Sequence, residues 1–130
     1  MYQLRGKLSI VMPAYNEEAL IYNSIMQTLS IVEQFAPDME IIAVNDGSKD
    51  KTKQEIERAI RDDAKQPHPV VPGMRVSGTR IKLVTSNKNR GKGNAIISGI
   101  SQAEGDYIAF VDADLELNPA QLEGYLKKMQ

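Results

Sequence analysis

Cysteine is absent from all 130 residues, which rules out a disulfide framework and a thiolate metal site and fits a reducing compartment. An excess of either charge is missing as well: 16 Lys and Arg stand against 17 Asp and Glu, a net charge of -1. Phosphate-backbone binding draws on a basic surplus, so nucleic acid is not an expected partner. Long apolar runs are also lacking. The longest are four or five residues, whereas roughly 20 are needed to span a bilayer, and none near the N-terminus has signal-peptide length. The expected location is cytoplasmic, with any membrane role peripheral, at the cytoplasmic face. Internal repeats and low-complexity segments are absent too.

What the chain does have is an alternation of two hydrophobic patterns. Leu8 to Met12 (closed by Pro13), Glu40 to Val44 and Tyr107 to Val111 are short, nearly continuous aliphatic runs. Strands buried on both faces of a parallel sheet read this way. Ile21, Ile25, Leu29, Val32 and Ala36 recur at helical spacing, which predicts a helix from about Glu18 until Pro37 ends it. Met26, within that pattern, is expected in the core. Ser48 and Asp50 suit the N-cap of a second helix reaching about Lys65, whose narrow stripe of Ile56, Ala59, Ile60 and Ala64 marks a surface helix.

Residues 66–79 hold Pro67, Pro69, Pro72, Gly73 and Gly78 and read as a long loop insertion. His68, the single histidine, is expected to face solvent there. A third strand over Arg80 to Thr85 and a third helix from about Gly91 to Glu104, on Ile96, Ile100 and Ala103, precede the fourth strand. Pro119 then opens a last helix as a first-turn proline. The order β-α-β-α-β-α-β-α calls for one α/β domain over residues 1–130, with a mainly parallel sheet, right-handed crossovers and helices on both faces.

Ligands in such sheets bind beyond the carboxyl ends of the strands, where strand order reverses. Every unusual segment of this chain falls at such an end. Taken singly they are ordinary: Asp46-Gly47 is a common turn, Gly91-Lys92-Gly93 a flexible helix start, and Pro13 to Glu17 a proline-bounded turn. Asp112-Ala113-Asp114-Leu115-Glu116 is more specific, because three carboxylates at alternate positions repel one another without a counter-ion. Hard cations such as Mg²⁺ or Mn²⁺ take oxygen ligands of this kind and keep positions open for phosphate oxygens. Asp46 could accept a hydrogen bond from a nucleobase, and Arg90 and Lys92 could meet phosphate.

Two other readings of the acids compete. An EF-hand loop begun at Asp112 would match several ligand positions, but it places Leu117 where the sharp turn needs glycine, and a strand leads in rather than a helix. A phosphatase of the haloacid dehalogenase type also sets Asp-x-Asp after a strand, but normally the first strand of the domain rather than the fourth.

Four stretches together carry a resemblance: Ile10 to Glu17, Val44 to Asp50, Asn89 to Ala95 and Val111 to Asp114. In order and spacing they are similar to the donor-binding half of family 2 glycosyltransferases. Within that family the chain most resembles dolichol- or polyprenyl-phosphate mannosyl- or glucosyltransferases. The resemblance implies a Rossmann-like GT-A nucleotide-sugar fold, a UDP- or GDP-sugar donor, Mg²⁺ or Mn²⁺ as cofactor, and a lipid-phosphate acceptor. It also implies metal-assisted transfer with inversion.

Carried over by position, it places Pro13, Ala14, Tyr15 and Glu17 at the base and ribose, with Asp46 at the base. Lys92, Gly93 and Ala113 fall near the nucleotide, and Asp112 near the ribose or the metal. Asp114 becomes a metal ligand, and Glu116 stands where relatives often carry a metal-binding Gln. The acceptor half and a catalytic base are not identifiable in these residues, so the chain reads as a donor-binding part, truncated relative to the family. Alone it is expected to transfer weakly or not at all unless a homo-oligomer or another chain completes the site. The alternative is a non-catalytic nucleotide-binding module.

Overall fold

The aliphatic runs form a four-stranded, all-parallel sheet in the order β3-β2-β1-β4, in a computed structural model that describes residues 2–68, 78–116 and 118–130. The elements in chain order are β1 (Leu8–Ala14), α1 (Ile21–Val32), β2 (Met39–Asp46), α2 (Thr52–Ala64), β3 (Ile81–Ser86), α3 (Lys92–Ile100), β4 (Tyr107–Phe110) and α4 (Gln121–Met129). All eight expected elements are present in their expected order. Every residue of β2 is buried, as a central strand with helices on both faces requires.

Alternate side chains of the central strands enter two separate cores. Ile10, Met12, Ile41 and Ala43 pack with Ile21, Ile25 and Leu29 of α1 and with Ile56 and Ala59 of α2. Val11, Ile42 and Val44 point to the other face, where they meet Ala95 of α3. Gly99 lets α3 lie directly on that face, because a Cβ there would overlap the Val11 side chain. α3 covers β1 and β2, and Ile108 and Phe110 of β4 remain exposed on that side. Met26 is partly buried against the first core.

Several boundaries differ from expectation for local reasons. β1 runs on through Pro13 to Ala14, because ladder pairing with β4 ends at Val11 and Pro13 lies on the side of β1 facing past that end. α1 starts at Ile21, after a turn in which the Glu17 carbonyl accepts from the Leu20 and Ile21 amides, and closes through turn bonds from Phe35 and Ala36 to Val32. α2 begins at Thr52 with Asp50 Oδ1 accepting its amide at 2.9 Å, so Asp50 serves the helix start while Ser48 serves the site. α3 ends at Ile100.

Of the expected loop at 66–79, residues 69–77 lie outside the described residues. His68 is not solvent-facing: it is buried, with Nε2 2.8 Å from the Gly78 carbonyl and 3.9 Å from Asp63. It joins a buried network in which Asp63 accepts from the Arg80 amide (2.8 Å) and guanidinium (2.7 Å), and Arg80 also reaches Glu33 at 2.8 Å. Burial opposes ionisation of Asp63, but the bonds from Arg80 outweigh it and hold the carboxyl below its usual range.

Candidate functional site

Strand order reverses between β1 and β4, and at their carboxyl ends a cleft of about 460 Å³ opens, within the size range of small-ligand sites. The β1 exit forms one wall through Pro13, Ala14, Tyr15 and Glu17. Asn16, in left-handed backbone at φ 52°, fastens this exit to the turn after β2: its amide donates to Ser48 Oγ at 2.9 Å and its Oδ1 accepts from the Lys49 amide at 2.9 Å. The Glu17 amide donates to Thr52 Oγ1 at 2.8 Å. Tyr15, 41% exposed, therefore presents its ring from a pinned backbone.

The opposite wall is the β4 exit, with Asp112, Ala113, Asp114 and Glu116. This is a tight turn: the Leu115 amide donates to the Asp112 carbonyl at 3.0 Å, and Asp114 Oδ1 accepts the Glu116 amide at 3.0 Å. Leu115 takes φ 52°, unusual for a branched side chain. The turn holds its place because Leu115 packs on the core and Ser24 of α1 donates its hydroxyl to the Ala113 carbonyl.

The floor comes from β2 and the loop into α3. Lys92 Nζ lies 2.6 Å from Asp112 Oδ1. That bond, with the added negative fields of Asp114 and Glu116, raises the lysine above its usual range, so it stays cationic. Asp46 is buried and accepts from the amides of Arg90 (2.9 Å) and Gly91 (3.0 Å). Glu17 is pushed upward first by burial and then by the negative charges of Asp114 and Asp50.

Of the sequence-expected residues, all but Gly93 and Arg90 line one cleft, and Asn89, Gly91 and Ala95 join them; Arg90, expected to meet phosphate, lines a smaller neighbouring pocket with Ser86 and Asn94. Gly93 sits one step along α3, outside the cleft wall. Asn89 and Gly91 belong to a recognisable stretch without an individual signal, Ser48 read as an N-cap candidate, and Ser24 and Thr52 had no signal, since each acts through a contact between distant segments.

Among the described residues no three His, Cys, Asp or Glu side chains gather closely enough to cage a metal ion alone. Asp112 turns to Lys92 and Asp114 is partly engaged by the Glu116 amide, so the three acids are spread along the turn. Such a set still suits a cation held by one or two carboxylates plus ligand phosphate oxygens.

Fold and site define an α/β domain of the GT-A type, with a cationic lysine and a row of acids meeting at the switch point of the sheet. The profile of glycosyl transferase family 2 matches residues 9–130, and the chain belongs to that family. It is 34% identical over 94% of its length to an undecaprenyl-phosphate 4-deoxy-4-formamido-L-arabinose transferase of Enterobacter sp. (strain 638). The chain spans 33% of that relative. The mannosyltransferase PcManGT of Pyrobaculum calidifontis, solved with GDP-Man and Mn²⁺, superposes with a TM-score of 0.67 at 23% identity, covering 85% of this chain and 28% of the other. TarS of S. aureus, solved with UDP-GlcNAc, gives 0.59 at 26% identity, covering 83% and 26%.

Proposed function

We propose that this domain binds a UDP- or GDP-sugar and takes part in transferring the sugar, with inversion, to a polyprenyl phosphate. The observation that carries the reading is the convergence of the β1, β2 and β4 exits and the α3 start on one cleft holding both Lys92 and the acids of the β4 turn. The arabinose transferase relative supports the lipid-phosphate acceptor, and the neighbours solved with GDP-Man and UDP-GlcNAc support the donor class.

In this mechanism the Tyr15 ring offers a face to the base while the pinned β1 exit orients it. Lys92 and the amides at the start of α3 that lack helical acceptors receive the phosphates, where the positive end of the helix favours anions. Asp114, with Asp112 or Glu116, would hold Mg²⁺ or Mn²⁺, which when bound offsets negative charge developing on the departing diphosphate. Lys92 would exchange part of its bond to Asp112 for a phosphate oxygen and leave that carboxylate free. An acceptor phosphate is already anionic at neutral pH, so direct displacement by its oxygen needs no base from this chain. No described helix is long and apolar enough to cross a membrane. We place the domain at the cytoplasmic membrane face, where a lipid phosphate is reachable.

Thermal-shift titration with UDP, GDP and their sugars, with and without Mn²⁺, tests the reading. Ligand at a hundred times its Kd should stabilise the fold by about 2.7 kcal/mol. Asp114→Asn should remove the metal-dependent part and leave the ligand-free melting temperature near wild type. No metal-dependent stabilisation by any nucleotide would sink the proposal. Slow metal-dependent hydrolysis of the nucleotide sugar is expected; binding without hydrolysis would favour a non-catalytic module.

A further inference from the structure

Over the whole chain the charges nearly cancel, at -1, but they are not spread evenly. Lys49, Lys51, Lys53 and Lys88 are all exposed, and all lie on the turns that leave β2 and β3 or on the first turn of α2, at the carboxyl edge of the sheet. We propose that these lysines form a docking surface for an anionic bilayer, which holds the neighbouring cleft against the lipid headgroups. Among the described residues none of them enters an ion pair. Neighbouring acids are occupied instead: Glu18 accepts the Lys51 amide at 3.2 Å, Asp50 accepts the amides of Glu18 at 3.2 Å and Thr52 at 2.9 Å, and Glu55 pairs with Arg58 at 2.9 Å.

Two contacts make the patch continuous. Gly47, in left-handed conformation at φ 68°, lies so close to the Lys88 carbonyl carbon and the Asn89 nitrogen that a Cβ would overlap both, which sets Lys88 against the turn carrying Lys49. The Lys49 amide donates to Asn16 Oδ1 at 2.9 Å, which fastens that turn to the β1 exit and so to the cleft wall. The placement also runs against local helix preference. Lys51 is the N-cap of α2 and Lys53 its second residue, where the positive end of the helix favours acids. Leu20, 45% exposed, follows two residues after Glu18, whose carboxylate meets the Lys51 amide. A bilayer takes an apolar side chain beneath its headgroups, so lysines beside an exposed leucine fit a membrane surface better than a soluble polyanion. Each lysine near an anionic leaflet adds about fivefold in affinity.

The inference rests on the reading of the cleft as part of a lipid-phosphate transferase site, but its test uses no nucleotide. Vesicle sedimentation is run on the 130-residue chain, with phosphatidylcholine alone and with added phosphatidylglycerol. Binding is expected only where phosphatidylglycerol is present, and it should vanish towards about 1 M salt, where the screening length is about 3 Å. Lys49→Gln, Lys51→Gln, Lys53→Gln and Lys88→Gln together should weaken it at least about a hundredfold. A control combining Arg5→Gln, Lys65→Gln, Lys127→Gln and Lys128→Gln changes the net charge equally and should bind within about threefold of wild type. Equal loss in the two variants would trace binding to net charge and overturn the patch. Failure of the wild type to bind phosphatidylglycerol vesicles at low salt would overturn it as well.

All the substituted side chains are exposed, so the fold should survive. Should a variant not fold, wild-type amide signals in bicelles of the same lipids decide: those of residues 47–53 and 88 should broaden before those of α4, and the reverse order overturns the proposal. Polyglutamate or an RNA oligomer binding as well as the vesicles, with no loss of vesicle binding in Leu20→Ser, would reassign the lysines to a soluble polyanion and reject the bilayer. Vesicle binding by a chain that binds no nucleotide would sink the proposed function and leave this surface standing. Nucleotide binding without vesicle binding would do the opposite.

Discussion

Lys92 and Asp112 meet at 2.6 Å, yet their side chains are 62% and 44% exposed, so solvent screens the pair and it contributes little to folding. Lys92→Ala should shift urea-unfolding stability by no more than about 0.5 kcal/mol. Its effect belongs to binding, where losing a charged donor to phosphate should weaken UDP by about 10- to 100-fold in calorimetry. Glu17 carries the opposite sign of argument. Burial and the Asp114 charge raise its folded-state pKa, so its ionised form opposes folding. The group's favourable contribution is complete below the unfolded-state value, about 4.3, and is lost as pH rises through the raised folded value. Glu17→Gln in metal-free buffer should therefore raise the melting temperature at pH 7, by the equivalent of at most about 1 kcal/mol, and lose that gain near pH 4. Equal gains at both pH values would contradict this account.

Close packing of helices on the sheet decides the behaviour of whole elements. Gly99→Ala improves helix propensity by about 1 kcal/mol but drives a methyl into Val11 beneath α3. Overpacking of about 1–3 kcal/mol should win, giving a net loss in urea denaturation and reduced nucleotide affinity, since α3 carries Lys92. At the other end of the sheet, Asp63 ties α2 to the start of β3 through Arg80. Asp63→Asn leaves a buried guanidinium with, among the described residues, only Glu33 as ionic partner and should cost about 3 kcal/mol. The lowered Asp63 pKa gives a stability contribution present above the unfolded value of about 3.9 and lost as pH falls through the lower folded value. The variant should therefore lack that part of the wild type's acid sensitivity.

Across the whole molecule, the strand runs, the helical stripes and the eight-element order were legible in the chain because burial on two faces and on one face leave different periodicities. The four motif stretches were legible because they sit where those periodicities break. Element ends were less legible: β1 could continue through Pro13 only because β4 stops pairing at Val11, a fact about a strand nearly a hundred residues away. His68 read as a loop residue and proved buried, because Asp63 and Gly78 come to it from outside its own stretch. Local pattern thus determined which residues would form the sheet and which ends would bear acids, lysine and aromatic ring. Tertiary structure alone decided that Lys92 faces Asp112, that Ser24 holds the Ala113 carbonyl and that Asp46 turns inward to the loop amides. Periodicity reports whether a side chain is buried; which partner it meets depends on strand order, register and helix placement, which no single stretch encodes.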